Sequence, residues 1–279
     1  RVAYLNFFIL VCAVNARCAI PAIERLHANS GLRPLVASHR GASQEHPENT
    51  LTAFRRATQL GVAIQEFDVR ELSCGELVCV HDATWDRTTD SCQLLGPGAL
   101  VAQTDLQTAR TLNAAAAAAG SATHEPVPTL KEALDAMLPT CVPLIEHKAG
   151  TARRYVEFLR AEQRTGDVIL QSFDWQFLAD VRQLAKEIAI AALGPKDGVA
   201  SPTSEAIKKM QAFGAQLVHW RATDLTRADV KRLHTQGLLV CTYTTDNELG
   251  WFGGQALGVD AMCTNDPETM RTALNRTIS

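Results

Sequence analysis

The sequence predicts an α/β fold, a (β/α)8 TIM barrel with a small insertion after the second strand, and three observations lead there. Short apolar runs alternate with longer helical stretches from residue 35 onward, and eight of these runs have strand length. Residues with chemistry collect at the ends of those runs. The length of 279 residues suits one barrel once an amino-terminal segment is set aside. Hydrophobic residues make up 46% of the chain and charged residues 20%, enough apolar surface for a large core and too little for a multi-span membrane protein. A net charge of -3 supplies no broad cationic field, so nucleic acid is not an expected partner and any phosphate recognition must be local.

Residues 2–16 are almost wholly apolar, follow Arg1 and end in the small-residue pattern Val14-x-Ala16. They read as a secretory signal within residues 1–19, leaving a barrel domain at 33–279. Interrupted by Asn6 and Asn15, the stretch is shorter than the ~20 apolar residues that cross a bilayer. The expectation is a periplasmic or secreted protein with no stable membrane span in its mature chain; an anchor through this segment is the alternative. Cys12 and Cys18 lie in or beside it. Cys79, Cys141, Cys241 and Cys263 sit in apolar runs as small buried hydrophobes, whereas Cys74 and Cys92, in polar turn-like surroundings, are candidates for a disulfide.

Strands are expected at 35–39, 64–69, 143–148, 168–173, 188–193, 217–220, 238–244 and 261–264. Helices are expected at 50–60, 130–137, 152–162, 175–184, 204–213, 227–235 and 248–257. Asn49, Thr129, Thr151 and Thr226 stand where side-chain oxygens cap helix starts, and Gly61, Gly214, Gly237 and Gly258 punctuate helix ends. An additional run at 77–81 follows the turn-like Ser73-Cys74-Gly75 and forms an excursion after the second strand. The irregular region 82–128 is then inserted before the next helix, and its alanine run 114–119 has high helix propensity. Trp85, Trp175, Trp220 and Trp251 are assigned to packing.

In Glu66-Phe67-Asp68 the alternation of a strand puts both carboxylates on one face and Phe67 on the other. Two carboxylates aimed into a barrel lumen lose hydration and repel, so they call for a cation, a proton or a basic partner. Glu146 and Lys148 share a face on another strand, with His147 pointing away toward the helices in a structural role. Glu146 is a third oxygen donor; Lys148 offers a compact positive charge to phosphate or pairs with Glu146. His39-Arg40-Gly41 follows the first strand, and His81-Asp82 ends the extra run. An imidazole takes and returns protons near neutral pH, as departure of an alcohol from phosphorus requires. Gln171 and Phe173 share a face, the first to hydrogen-bond in the lumen and the second to close it.

Taken together, these residues resemble the glycerophosphodiester phosphodiesterase family. The resemblance runs through H-R-G-A-S-Q-E-H-P-E-N-T at 39–50, E-F-D-V at 66–69, L-V-C-V-H-D at 77–82, D-R-T-T at 86–89, I-E-H-K at 145–148 and G-V-D-A-M-C-T-N-D-P at 258–267. It implies a (β/α)8 barrel that hydrolyses glycerophosphodiesters, small-molecule substrates, to an alcohol and glycerol 3-phosphate. Carried over position by position, it implies His39 and His81 as the acid/base pair and Glu66, Asp68 and Glu146 as ligands of one divalent cation. Hard oxygen ligands favour Mg2+ or Ca2+. Arg40 and Lys148 match phosphate-contacting positions, and Tyr243 is a candidate for lining the glycerol pocket. Water and the substrate's own glycerol hydroxyl both stand as attacking oxygens.

Two departures from the family pattern occur. Tyr243 and Asp246 stand where the family often has the aromatic and the amide of W-T-V-N, and Asn265 stands where T-D is frequent. The rival readings are a lysophospholipase D-like or sphingomyelinase D-like phosphodiesterase, which requires an apolar groove, and a noncatalytic phosphate-binding envelope protein. The oligomeric state is left open.

Overall fold

A computed structural model of the chain describes residues 20–29, 34–117, 124–195 and 200–276. The expected signal segment at 1–19, with Cys12 and Cys18, lies outside the described residues, as do the last two residues of the alanine run 114–119. In chain order the elements are α1 (Pro21–Asn29), β1 (Leu35–His39), α2 (Leu51–Gln59), β2 (Ile64–Glu71), β3 (Leu77–Cys79), α3 (Ser91–Leu94), α4 (Leu106–Ala109), α5 (Leu130–Met137), β4 (Val142–His147), α6 (Ala152–Ala161), β5 (Ile169–Ser172), α7 (Trp175–Leu184), β6 (Ala189–Gly194), α8 (Ser204–Ala212), β7 (Leu217–Arg221), α9 (Arg227–Thr235), β8 (Leu239–Tyr243), α10 (Glu248–Leu257), β9 (Ala261–Thr264) and α11 (Pro267–Arg276).

The parallel strands run in the order β1-β9-β8-β7-β6-β5-β4-β2, and β1 pairs with β2 to close the ring as expected. β3 lies outside the ring, antiparallel to the extended end of β2, with Glu71 opposite Leu77. That pairing carries β2 two residues beyond its expected end, while the expected run 77–81 stops at Cys79 so that His81 leaves the sheet. Side chains alternate between two apolar layers. Ala37, Ile64, Leu144, Ile169, Ala191, Leu217 and Cys263 fill the lower lumen. Phe67, Ile145, Leu170, Val218, Val240 and Met262 face the helices.

Thr129, Thr151 and Thr226 accept hydrogen bonds from the backbone three residues on and cap their helices. Asn49 does not: Thr50 takes the cap of α2, and the Asn49 side chain goes to the site. Besides the short α3 and α4 in the insertion, two helices were not expected. α11 follows Pro267 directly after the last strand, and α1 precedes the first. Ala22 and Leu26 of α1 are buried with Ile20 and Ile23 against the lower lumen and form its floor. The Ala22 N–H donates to the Gly166 carbonyl at 2.8 Å, and Arg25 Nη2 donates to the carbonyls of Pro139 at 2.7 Å and Cys141 at 2.8 Å.

The insertion carries its own small core of Val78, Val80, Trp85, Val101, Leu112 and Val127. Residues 114–117 form a turn rather than the expected helix. Cys74 and Cys92 are both free and exposed, so the candidate disulfide is not formed; Cys79, Cys141, Cys241 and Cys263 are buried and free as expected. Trp85, Trp220 and Trp251 are fully buried, and each indole N–H is satisfied, by the Thr104 hydroxyl, the Ala200 carbonyl and the Thr245 carbonyl respectively.

Because α1 closes the lumen with side chains that no strand replaces, Leu26→Ala should destabilise the protein by about 2–4 kcal/mol. In a chain of this size that lowers Tm by roughly 5–10 °C, readable by calorimetry. An unchanged Tm would show that α1 is not part of the folding unit.

Candidate active site

The turn after β1 is built for close approach. Gly41 has φ of +82°, and a Cβ there would stand 2.7 Å from the Ala53 carbonyl carbon, so the turn can press onto α2. Arg40 and Asn49 adopt left-handed backbone at φ of 57° each, a conformation that Asn tolerates better than most residues. In return the Arg40 N–H reaches the Glu66 carbonyl at 2.8 Å, and the Asn49 N–H the Arg40 carbonyl at 3.1 Å. The Asn49 amide then holds Asp68 from two sides: Nδ2 donates to Oδ2 at 2.9 Å, and Oδ1 accepts from the Asp68 backbone at 3.2 Å.

Strand register assembles the acidic residues. His39 lies opposite Glu66 on the β1–β2 ladder, Asp68 opposite Glu146 on β2–β4, and Glu146 opposite Gln171 on β4–β5. Glu66, Asp68 and Glu146 are buried, and one carboxylate oxygen from each lies within 4.8 Å of the others. Two cations answer this charge. Arg40 Nε is 3.0 Å from Asp68 Oδ2, an ion pair without hydrogen-bond alignment. Lys148 Nζ is 2.5 Å from Glu146 Oε1 and 3.4 Å from Asp68 Oδ1. Burial and the neighbouring carboxylates push Glu66 well above the usual carboxylate range and Glu146 up to about 7. Asp68 is also buried, but Arg40 and Lys148 outweigh that and hold it low.

This donor set fits a divalent cation: three hard oxygen ligands converge, and Asp68 Oδ1 is buried without a hydrogen-bond donor. The lumen below continues the chain of contacts. Gln171 Nε2 donates to Glu66 Oε1 at 3.1 Å, and His219 Nδ1 donates to Gln171 Oε1 at 2.7 Å. While Glu66 is ionised its oxygen only accepts, and the Gln171 amide then takes this one orientation. Desolvation holds the buried His219 imidazole down to about 3, so it is the neutral ring that orients Gln171.

Both histidines flank the carboxylates and are held through Nδ1. His81 Nδ1 is 2.5 Å from Asp82 Oδ1, and hydrogen bonds from Arg87 and then His81 keep Asp82 ionised, at about 2. Arg87 also donates to both Glu48 oxygens, at 2.8 and 2.7 Å, and Glu48 accepts from Arg40 at 2.9 Å. An ionic chain thus links His81 to Asp68 through Asp82, Arg87, Glu48 and Arg40. His39 Nδ1 is 2.7 Å from Asn265 Oδ1, and its Nε2 lies 3.9 Å from Glu66 Oε2.

Tyr243, expected at a glycerol pocket, packs edge-on against His219 at 5.0 Å and donates its hydroxyl to the Gly194 carbonyl at 2.7 Å. Phe173, just beyond the end of β5, is 40% exposed and meets Tyr243 edge-on at 6.5 Å. His147 stacks on Phe177 at 3.6 Å in the helical layer, the structural place expected of it. Asn49, Glu48, Arg87 and His219 are the site residues that sequence reasoning did not single out for this role. The first three lie within quoted motifs, and the lone lumen-facing His219 gave no signal beyond its inward parity on β7.

A barrel whose C-terminal mouth gathers acids, bases and cations from several strands has the make-up of an enzyme active site. Residues 39–269 match the model of the glycerophosphoryl diester phosphodiesterase family, and the chain belongs to that family. It is 29% identical over 246 residues to a glycerophosphodiester phosphodiesterase of Caldanaerobacter subterraneus, covering 86% of this chain and 97% of the relative. It is 27% identical over 250 residues to one of Bacillus subtilis, covering 85% of each. Among solved structures it resembles an Oleispira antarctica phosphodiesterase in complex with the product sn-glycerol-3-phosphate, at TM-score 0.79 and 24% identity over 90% of this chain and 99% of that one. A glycerophosphodiester phosphodiesterase from Agrobacterium tumefaciens matches at TM-score 0.74 and 23% identity, covering 86% of this chain and 99% of that one.

Since the folded state keeps His219 neutral while the unfolded chain takes up a proton below the ordinary 6.5, this group weakens folding progressively as pH falls from 6.5 toward about 3. Between pH 8 and 5 the His219 ring resonances should therefore stay fixed in an NMR titration of the folded protein. A midpoint near 6.5 would contradict its burial.

Proposed function

We propose that the chain hydrolyses glycerophosphodiesters to an alcohol and glycerol 3-phosphate, with Glu66, Asp68 and Glu146 holding one divalent cation, Mg2+ or Ca2+, and His39 and His81 moving protons. The observation that carries this is the convergence of three buried carboxylates between two histidines that are each anchored through Nδ1. Anchoring there leaves both Nε2 atoms for substrate. One imidazole, neutral, takes the proton of the attacking oxygen, from water or from the glycerol hydroxyl, and the other, entering the step as imidazolium, gives its Nε2 proton to the departing alcohol. The cation, when bound, polarises phosphorus and lowers the proton affinity of the attacking oxygen. Charge supports the same substrate. Arg40, Lys148 and a divalent ion would set positive charge beside these carboxylates, and a phosphodiester anion would meet it there.

A second reading has one observation in its favour. A cavity of about 700 Å³ opens beside Tyr243, walled by Thr244, Gly250, Gly253, Gly254 and Leu257, and it offers room for an acyl chain on the glycerol of a lysophospholipase D substrate. Export through the apolar segment 2–16 belongs to the same proposal and is tested by sequencing the mature amino terminus, where retention of that segment would reject it.

Chelation should abolish release of alcohol and glycerol 3-phosphate from glycerophosphocholine, and add-back of Mg2+ or Ca2+ should restore it. His39→Ala and His81→Ala should each lower kcat about 10²–10⁴-fold with the fold retained. Turnover that survives chelation and both substitutions would reject the mechanism. Faster turnover of lysophosphatidylcholine than of glycerophosphocholine would favour the second reading.

A further inference from the structure

The two departures from the family pattern at the end of the barrel meet in space. Asp246, where the family often has an amide, lies against Asn265, where it often has an acid. Asn265 Nδ2 donates to Asp246 Oδ2 at 2.7 Å, the Asn265 backbone N–H donates to Asp246 Oδ1 at 2.7 Å, and the Thr264 hydroxyl donates to the same oxygen at 3.0 Å. A carboxylate only accepts, so Asp246 fixes which end of the Asn265 amide is which. Its Oδ1 is turned toward His39 Nδ1 at 2.7 Å and also takes the Ser43 hydroxyl at 2.9 Å. An amide oxygen cannot donate. The His39 proton must therefore sit on Nδ1, and the lone pair on Nε2, the atom nearer the carboxylates.

We infer that Asp246 and Asn265 form an acid–amide pair whose joint task is to position His39 and hold its neutral ring in the Nδ1–H tautomer. The inference deepens the role given to His39 above and rests on it. Neither residue touches substrate in this account; both are positioning residues. Either one changed alone breaks the pair. With D246N two amide NH2 groups oppose each other, Asn265 turns over, and a donor is presented to His39 Nδ1, which drives the proton to Nε2. With N265D two carboxylates face each other across the gap. Changed together, the contacts all return with the roles exchanged: the amide at 246 donates to the acid at 265, its oxygen accepts from Thr264 and the backbone, and the acid accepts from His39 and Ser43. In the serine-protease triad the corresponding loss of the right tautomer costs about 10⁴-fold in kcat; the more exposed pair here should cost less.

The experiment compares wild type, D246N, N265D and the double exchange, with His39→Ala as the inactive reference. Each is assayed on glycerophosphocholine with metal added, and the His39 ring nitrogens are read by 15N NMR at pH 8. Each single exchange should lower kcat at least about tenfold with KM nearly unchanged, and the double exchange should recover to within about threefold of wild type. The wild-type and double-exchange spectra should show hydrogen on Nδ1, and D246N should show it on Nε2. A double exchange no better than the worse single variant, or a wild-type proton on Nε2, would overturn the inference. If wild type turns over no glycerophosphodiester, the functional reading fails while the NMR arm still decides this one. Thermal unfolding of each variant separates loss of the pair from loss of the fold.

Discussion

Every feature of the mouth answers to one electrostatic demand, three carboxylates removed from water within 4.8 Å of one another. Each such ion costs several kcal/mol to bury unless it is compensated. Arg40 and Lys148 supply part of the compensation, Asn49 supplies hydrogen bonds to Asp68, and Gln171 supplies one to Glu66. The compensation is incomplete, as the raised proton affinities of Glu66 and Glu146 show. That shortfall makes the site receptive to a divalent ion, and the strain of left-handed Arg40 and Asn49 is the local expense of arranging it.

Around this centre the protein fixes orientations rather than adding charges. Both flanking histidines are tied at Nδ1, one by a carboxylate and one by an amide oxygen, so the same nitrogen faces the reaction space in each. The carboxylate arm depends on the insertion, because Arg87 lies there and clamps Asp82 and Glu48 together. The amide arm depends on β9 and the turn after β8. His81 and His39 are thereby anchored through different segments, the insertion after β3 and the ends of β8 and β9.

Much of this was legible in the sequence because it follows from parity. A strand alternates, so Glu66 with Asp68, and Glu146 with Lys148, had to share the lumen face while Phe67 and His147 turned outward. Other features were illegible for equally physical reasons. α1 was not read as the barrel floor, since it precedes the first strand and nothing in the βα rhythm says where a helix there will dock. Asn49 looked like a cap because Asn before a helix usually is one, yet Thr50 caps and the amide reaches across nineteen residues of sequence to Asp68. Asp246 and Asn265 read as separate oddities because their adjacency is a fact of the closed ring. Cys74 and Cys92 looked pairable from polarity alone, which carries no distance.

The ladder register that sets Asp68 opposite Glu146 has a final implication for how this protein can fail. A slip by a single residue anywhere along β2 would rotate Phe67 into the lumen and drive the acids in among the helix-facing hydrophobes. Such a slip damages the core and the acids together. Damage to folding here should present as an all-or-none loss of active molecules rather than as a population of weakened ones.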